Sequence, residues 1–345
     1  MATLMMPSDL DAPALSVDPA DAVGCSYHCA DRYVVGREKI REFARAVQDD
    51  HRAHWSESAA GELGYPGLVA PPTFTSVPAF LAQIAMFDHV AHGYDMSQIM
   101  QTDYVIAFGK PVVAEDELTF AVHFESFRRA FGGDIFRFRC EAVDGHGELC
   151  LATWTTFVGR PDVDTSAARA CEHVMMQNVR RAAPARRTHA PAEAPRAPRV
   201  TAVAGERIPV DAIAVGDELP TRTVTLTPGG LVNYAGVAGD PNPIHWNHDA
   251  AAAAGLKTPV AQGMLTIGLG AGFLTAWTRD PGALREYAVR LTSPVYVGDA
   301  GASIELTGRV KSVDRESRTA TVALAAHSAG KKIFGRATAT IGLGA

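Results

Sequence analysis

The chain reads as an α+β protein in which one unit occurs twice, each unit a long helix wrapped by an antiparallel sheet. Three observations carry this reading. Laid without gaps, Phe43 to Phe74 matches Tyr234 to Leu265 at a constant offset. A segment rich in Ala, Pro and Arg separates the two copies. In the second copy a long apolar stretch precedes apolar, β-branched runs divided by glycine and charged turns, the pattern of a helix followed by a meander. A length of 345 residues, above the usual single-domain size, agrees with two cores.

The elements follow in order. Residues 1–22 carry acidic residues and prolines without a basic start and an apolar run, so they read as a flexible leader and not a secretion signal. The first unit is expected over 23–160. From 161 to 204 prolines break helices and few large apolar residues are left to build a core, so this is a linker. Arg180-Arg181 and Arg186-Arg187 within it read as solvated charge, and Cys171 to Val179 as one short helix. The second unit is expected over 205–345. Its Thr227-Pro228 is a helix start, a capping hydroxyl with Pro at the first helical position, running to about Ala238. A longer helix is predicted from Gly263 to Trp277. Strands are predicted at Tyr287 to Val297, Ala302 to Val313, Thr319 to Ala326 and Ile333 to Ile341.

Composition narrows the functional classes. With 47% apolar and 20% charged residues the chain suits a soluble globular protein. A net charge of −6 gives no overall attraction to nucleic acid, so an anionic ligand needs local basic groups or helix N-termini. Ala261 to Trp277 is too short and glycine-rich for a membrane span and reads as a buried helix. Cysteines at 25, 29, 140, 150 and 171 lack paired C-x-x-C units, which argues against a disulfide framework or structural zinc and for a reduced, cytoplasmic setting. Cys25 and Cys29 flank His28, and ordinary thiols are a better reading there than metal ligands. Gly268-x-Gly270-x-Gly272 lies inside a predicted helix and follows no strand, so it fails the dinucleotide test; small residues there let the helix sit close to its sheet.

The chemistry concentrates in Gly239-Asp240-Pro241-Asn242-Pro243-Ile244-His245. Glycine, the two prolines and the self-bonding Asn and Asp make a rigid turn, which holds a carboxylate and an imidazole five positions apart. Such a pair can share proton transfer near neutral pH. Taken alone, an Asp and a His at this spacing read as a capping residue and a packed histidine. The longer stretch Tyr234 to His245, with Gln262-Gly263-Met264 downstream and Arg290 to Val295 and Val297-Gly298-Asp299 beyond, closely resembles the signature of MaoC-like (R)-specific enoyl hydratases and dehydratases. The resemblance extends from Arg207 to the C-terminus.

That resemblance implies a double hot-dog fold and reversible removal of water from a (3R)-3-hydroxyacyl thioester. It implies Asp240 and His245 as the acid/base pair, in either assignment of roles, and the Gly263 amide as the oxyanion donor. Asn242 would fix the loop. Thr266 would support the site or bond its own backbone. No cofactor or metal is implied. The expected partner is an acyl-CoA or an acyl-carrier-protein thioester, with no nucleic acid, and Lys257, Arg290, Lys331 and Lys332 are candidates for a basic entrance. Two units in one chain match a family dimer, so a monomer or a homodimer of fused chains is expected.

The first unit keeps Asp49 and His54, yet Gln48-Asp49-Asp50-His51-Arg52-Ala53-His54 lacks the rigid turn, and Pro72, without an amide hydrogen, stands where Gly263 does. It reads as catalytically silent and free to widen for an acyl chain. The pair resembles a fusion of the two subunits of the actinobacterial (3R)-hydroxyacyl-ACP dehydratases of mycolic-acid synthesis. Two further readings stand beside this: a degradative enoyl-CoA hydratase using the same residues, and a non-catalytic acyl-binding or assembly subunit.

Overall fold

A computed structural model describes residues 18–29, 31–90, 94, 99–130, 132–159, 185–188, 198, 207–240 and 242–344. The first unit runs through β1 (Ser26–Cys29), β2 (Tyr33–Val34), α1 (Arg37–Ala46), α2 (Glu57–Glu62), α3 (Ser76–Val90), β3 (Met100–Phe108), β4 (Glu117–Ala130), β5 (Gly133–Asp144) and β6 (Leu149–Gly159). After β7 (Ala185–Thr188), the second unit repeats the order. It has β8 (Glu218–Leu226), α4 (Pro228–Ala238), α5 (His248–Ala253), α6 (Gly263–Thr278), β9 (Leu284–Leu291), β10 (Ala302–Asp314), β11 (Thr319–Ser328), β12 (Lys331–Lys332) and β13 (Phe334–Gly342). This is the double hot-dog that the sequence predicts, one helix per unit against an antiparallel sheet.

Among the described residues the two sheets merge into one of 13 strands, ordered β7-β1-β4-β5-β6-β3-β9-β13-β11-β10-β8 along its main path. The join is β3 against β9, antiparallel, with Val105 opposite Ala288. These two positions also correspond in the repeat when Lys110-Pro111-Val112 is laid on Ser293-Pro294-Val295, so the pseudo-twofold axis passes between them.

Local chemistry fixes the elements. α4 is capped by Thr227, whose hydroxyl accepts from Gly230 N, and ends at Gly239 in the left-handed region (φ 74°). α6 is apolar on all sides and buried on nearly all of them. Its glycines permit the close approach expected of them. A methyl on Gly270 would overlap the Tyr287 hydroxyl, while methyls on Gly268 and Gly272 would press on Val47 and Asp49 of the other unit. In the first unit the position of Gly270 is held by Ala79.

Several expectations need correction. The run predicted as a strand from Tyr287 to Val297 is a strand only over Leu284–Leu291. Beyond it, Val295 O accepts from Ala261 N (2.9 Å) and Val297 N donates to Pro259 O (2.8 Å), which pins the loop before α6. Strands β1 and β8 were not foreseen. Within the expected linker, Ala185–Thr188 is a strand paired antiparallel with β1; the helix expected at Cys171 to Val179 lies outside the described residues. In the expected leader, Pro19–Ala22 forms a 3-10 turn capped by Asp18, which pairs with Arg129 at 3.0 Å, and Ala22 is buried.

Candidate active site

The left-handed turn at Gly239 delivers Asp240 at the C-terminus of α4. Asp240 Oδ1 accepts from Asn242 N (3.3 Å), and Asn242 Oδ1 accepts from Ile244 N (3.2 Å), capping the 3-10 turn Pro243–His245. Asn242 thus fixes the loop. His245 Nδ1 lies 2.8 Å from Val260 O. A carbonyl only accepts, so Nδ1 carries the proton, and in the neutral ring Nε2 is left as an acceptor. That Nε2 stands 3.6 Å from Asp240 Oδ2.

Both side chains face a cavity of about 450 Å³, within the range of small-molecule sites. Asp240, Asn242, His245, Gly263 and Thr266 all line it, so the five residues singled out in the sequence are brought to one place. Gly263 is the first residue of α6, where backbone amides have no intrahelical acceptor, and no side chain caps it. A methyl there would sit 2.9 Å from Leu291 Cδ1 and 3.2 Å from Gln101 Oε1, so the backbone is closely approached. Thr266 Oγ1 donates to Gly263 O (2.8 Å) and so bonds its own helix while lining the cavity.

Much of the cavity belongs to the other unit. Gln101 of β3 reaches over the start of α6, its Nε2 3.4 Å from Met264 Sδ, and Ala79, Tyr104, Cys140, Thr153 and Thr155 line the space beyond. Sequence reasoning missed Gln101 and Tyr234. Tyr234 is fully buried beside Asp240; burial first, and then the Asp240 charge, raises its phenol well above the ordinary range. Gln101 gave no local signal, because it enters the site only through the pairing of β3 with β9. Of the candidate entrance cations, Lys257 follows cavity-lining Leu256, Arg290 precedes Leu291 and Lys332 precedes Ile333; Lys331 is exposed one residue further on.

The first unit reproduces the frame. His51 N donates to Asp49 Oδ1 (3.1 Å) and Ala53 N to His51 Nδ1 (3.2 Å), so His51 stands in for Asn242. His54 Nδ1 donates to Val69 O (2.6 Å), with Nε2 3.2 Å from Asp49 Oδ2. The surroundings differ. The His54 and Asp49 side chains are 0% and 2% exposed, against 11% and 28% for His245 and Asp240. Burial alone would raise the Asp49 pKa, but the His54 hydrogen bond and charge and the His51 amide outweigh it and hold the carboxyl below its usual range.

Two family models match, a FAS1-like dehydratase domain region over residues 21–151 and a MaoC-like domain over 212–328. A solved MaoC-like dehydratase is 44% identical, with 94% of this chain and 100% of that one covered at a TM-score of 0.88. The chain belongs to the MaoC-like dehydratase family. It is also similar to UPF0336 protein Rv0635 of Mycobacterium tuberculosis, 43% identical over 145 residues that span 42% of this chain and 92% of that one. RV0216 of the same organism, a double-hotdog protein only 14% identical, shares the fold at a TM-score of 0.60 over 94% of this chain and 98% of that one. As a MaoC-like dehydratase the protein is a hydro-lyase of the hydratase/dehydratase type. Among its described residues no helix is long and apolar enough to cross a membrane.

Proposed function

We propose that this protein interconverts a (3R)-3-hydroxyacyl thioester and its trans-2-enoyl thioester, with one active site per chain built on Asp240, His245 and the Gly263 amide. The observation that carries the reading is the tautomer set by Val260: with Nδ1–H donated to that carbonyl, His245 presents a basic Nε2 to the cavity opposite the Asp240 carboxyl. Two acceptors facing each other across 3.6 Å need a proton or a hydroxyl between them. In dehydration His245 takes the proton from C2, the thioester oxygen gathers charge against the Gly263 amide and the helix N-terminus, and Asp240, protonated, gives its proton to the departing hydroxyl. Hydration runs the same steps backwards.

The thioester end enters beside Lys257, Arg290 and Lys332, which suit the anionic head of a phosphopantetheine carrier. The acyl chain extends into the first unit, past Tyr104 and Thr155, where that unit's own acid/base pair is buried and silent. The test is hydration of crotonyl-CoA followed by loss of enoyl absorbance. Wild type turns over, and Asp240→Asn and His245→Ala each lose about 10²–10⁴-fold in kcat. A wild type without turnover, indistinguishable from its variants, leaves an acyl-binding subunit as the better account, whereas variants as active as a working wild type move the chemistry to other residues. Rates on CoA against carrier-protein thioesters separate a biosynthetic from a degradative role.

A further inference from the structure

The catalytic cavity is walled at one place by Thr75 and Leu151, and the same two residues wall a second hollow of about 20 Å³, room for roughly one water. This hollow has a counterpart in the molecule. It is lined by Ala70-Pro71-Pro72, by Phe108 to Val112 and by Leu284-Arg285. Under the repeat these are Ala261-Gln262-Gly263, Leu291 to Val295 and Gln101-Thr102, of which all but Gln262 line the catalytic cavity. The hollow is therefore the first unit's copy of that part of the cavity, which on the proposed reading of the site is the substrate entrance. It no longer serves that unit's own pair, since neither Asp49 nor His54 lines it.

We propose that this vacated entrance is an exit port: the distal end of a long acyl chain bound at Asp240 and His245 crosses the first unit and emerges between Phe108 and Leu284, with Thr75 and Leu151 as the gate. The inference rests on the dehydratase reading of the site. Three features support it. The gate is thin, because the two spaces share those residues as a common wall. Thr75 is not anchored: its hydroxyl is buried without a hydrogen-bond partner among the described residues, whereas its counterpart Thr266 is tied to Gly263 O. The rim is suited to an alkyl chain. Phe108, Pro111, Pro281 and Leu284 contribute hydrocarbon, and of the two cations that line it, Lys110 is drawn to Asp144 at 2.6 Å, leaving Arg285. A closed chamber sets an upper limit on chain length, and a through passage does not.

The experiment uses the full chain and trans-2-enoyl-CoAs from crotonyl to docosenoyl. With an exit, kcat/KM rises with added methylenes and then holds level, and Leu151→Trp lowers the ratio of docosenoyl to crotonyl kcat/KM by about tenfold or more, a differential cost near 1.4 kcal/mol. A docosenoyl-CoA with a terminal diazirine labels wild type at Phe108–Pro111 or Pro281–Arg285, a result that stands even where Leu151→Trp fails to fold. A sharp cutoff at intermediate length, a ratio unmoved in folded Leu151→Trp, or label confined to Tyr104–Thr155 overturns the exit. Failure of wild type to hydrate crotonyl-CoA removes the dehydratase reading itself; crotonyl turnover with any of those three results removes only the port.

Discussion

The loops around His54 and His245 have nearly the same hydrogen-bond frame, yet His245 lines a cavity and His54 is sealed from solvent. In both, a histidine Nδ1 is held by a valine carbonyl and a carboxylate stands within 3.6 Å of Nε2. The second unit pairs this with a free helix-start amide at Gly263 and an entry path. In the first, Pro72 removes the amide and α6 of the opposite unit lies on Asp49, so closely that a methyl on Gly272 would be 3.1 Å from Asp49 Oδ2. On the proposed reading, the first unit's acid/base pair has outlasted its chemistry as packing. What makes a site is the donor and the access around the pair.

The amide at the helix start is the difference with the largest expected consequence. Gly263→Pro copies the first unit into the second at a first-turn position where proline is structurally tolerated. With Gly263→Ala as the control that adds a Cβ but keeps the N–H, the proline variant is expected to lose a further 10²–10³-fold, roughly 3–4 kcal/mol, in kcat on crotonyl-CoA. Equal losses in the two variants would show that crowding against Leu291, not the missing donor, is responsible.

The reverse asymmetry is expected at the silent pair. Asp49→Asn keeps the acceptor for His51 N but removes the buried carboxylate that faces His54, and should lower stability by about 1–3 kcal/mol while crotonyl-CoA turnover stays within a few-fold of wild type. Because the folded pKa of Asp49 is depressed, its contribution is present above the unfolded value of about 3.9 and is lost as pH falls through the folded value. Urea unfolding at pH 7 and below pH 4 should therefore show the gap between wild type and variant closing in acid. A gap that widens contradicts the pairing.

Packing separates the halves as well. α6 lies flush on Tyr287, whereas α3 carries Ala79 where α6 has Gly270 and leaves space against Tyr104, the repeat partner of Tyr287. Gly270→Ala should cost about 1–3 kcal/mol from overpacking. Adding Tyr287→Phe, which removes the overlapping hydroxyl, should recover part of it in a double-mutant cycle by thermal unfolding. Simple additivity would mean the helix shifts freely, and the tightness of the second unit would not explain why the chamber lies in the first.

The reach of the sequence follows the range of the forces involved. α4 and α6 were legible because Thr227, Pro228 and Gly239 are local stop and start signals and α6 is apolar throughout. The turn of the site loop was legible for the same reason, since the side-chain hydrogen bonds that shape it span two residues. β8 was missed because Pro220 and polar residues fill an edge strand, where an unpaired N–H side tolerates proline. β1 was missed because four residues carry no periodicity. Gln101 and the chamber were hidden for a further reason: they are brought to Asp240 and His245 by a pseudo-twofold contact between units, which no local pattern encodes.

The smallest expected effect tests the stand-in for Asn242. His51 is held below its ordinary pKa chiefly by burial and further by the neighbouring His54, partly offset by Arg279 O, Asp49 and Asp280. Below the unfolded value of about 6.5, the unfolded chain binds a proton that the folded protein resists, so His51 makes folding weaken as pH drops from about 6.5 toward the folded value. His51→Asn restores the second unit's side chain, whose Oδ1 can accept from Ala53 N as Asn242 accepts from Ile244 N. It should flatten the fall in stability between pH 7 and 5 by less than one proton's worth, under about 1.4 kcal/mol per pH unit. An unchanged slope would show that the burial of His51 does not set that pH dependence, and that the stand-in for Asn242 acts through its hydrogen bond to Ala53 N alone.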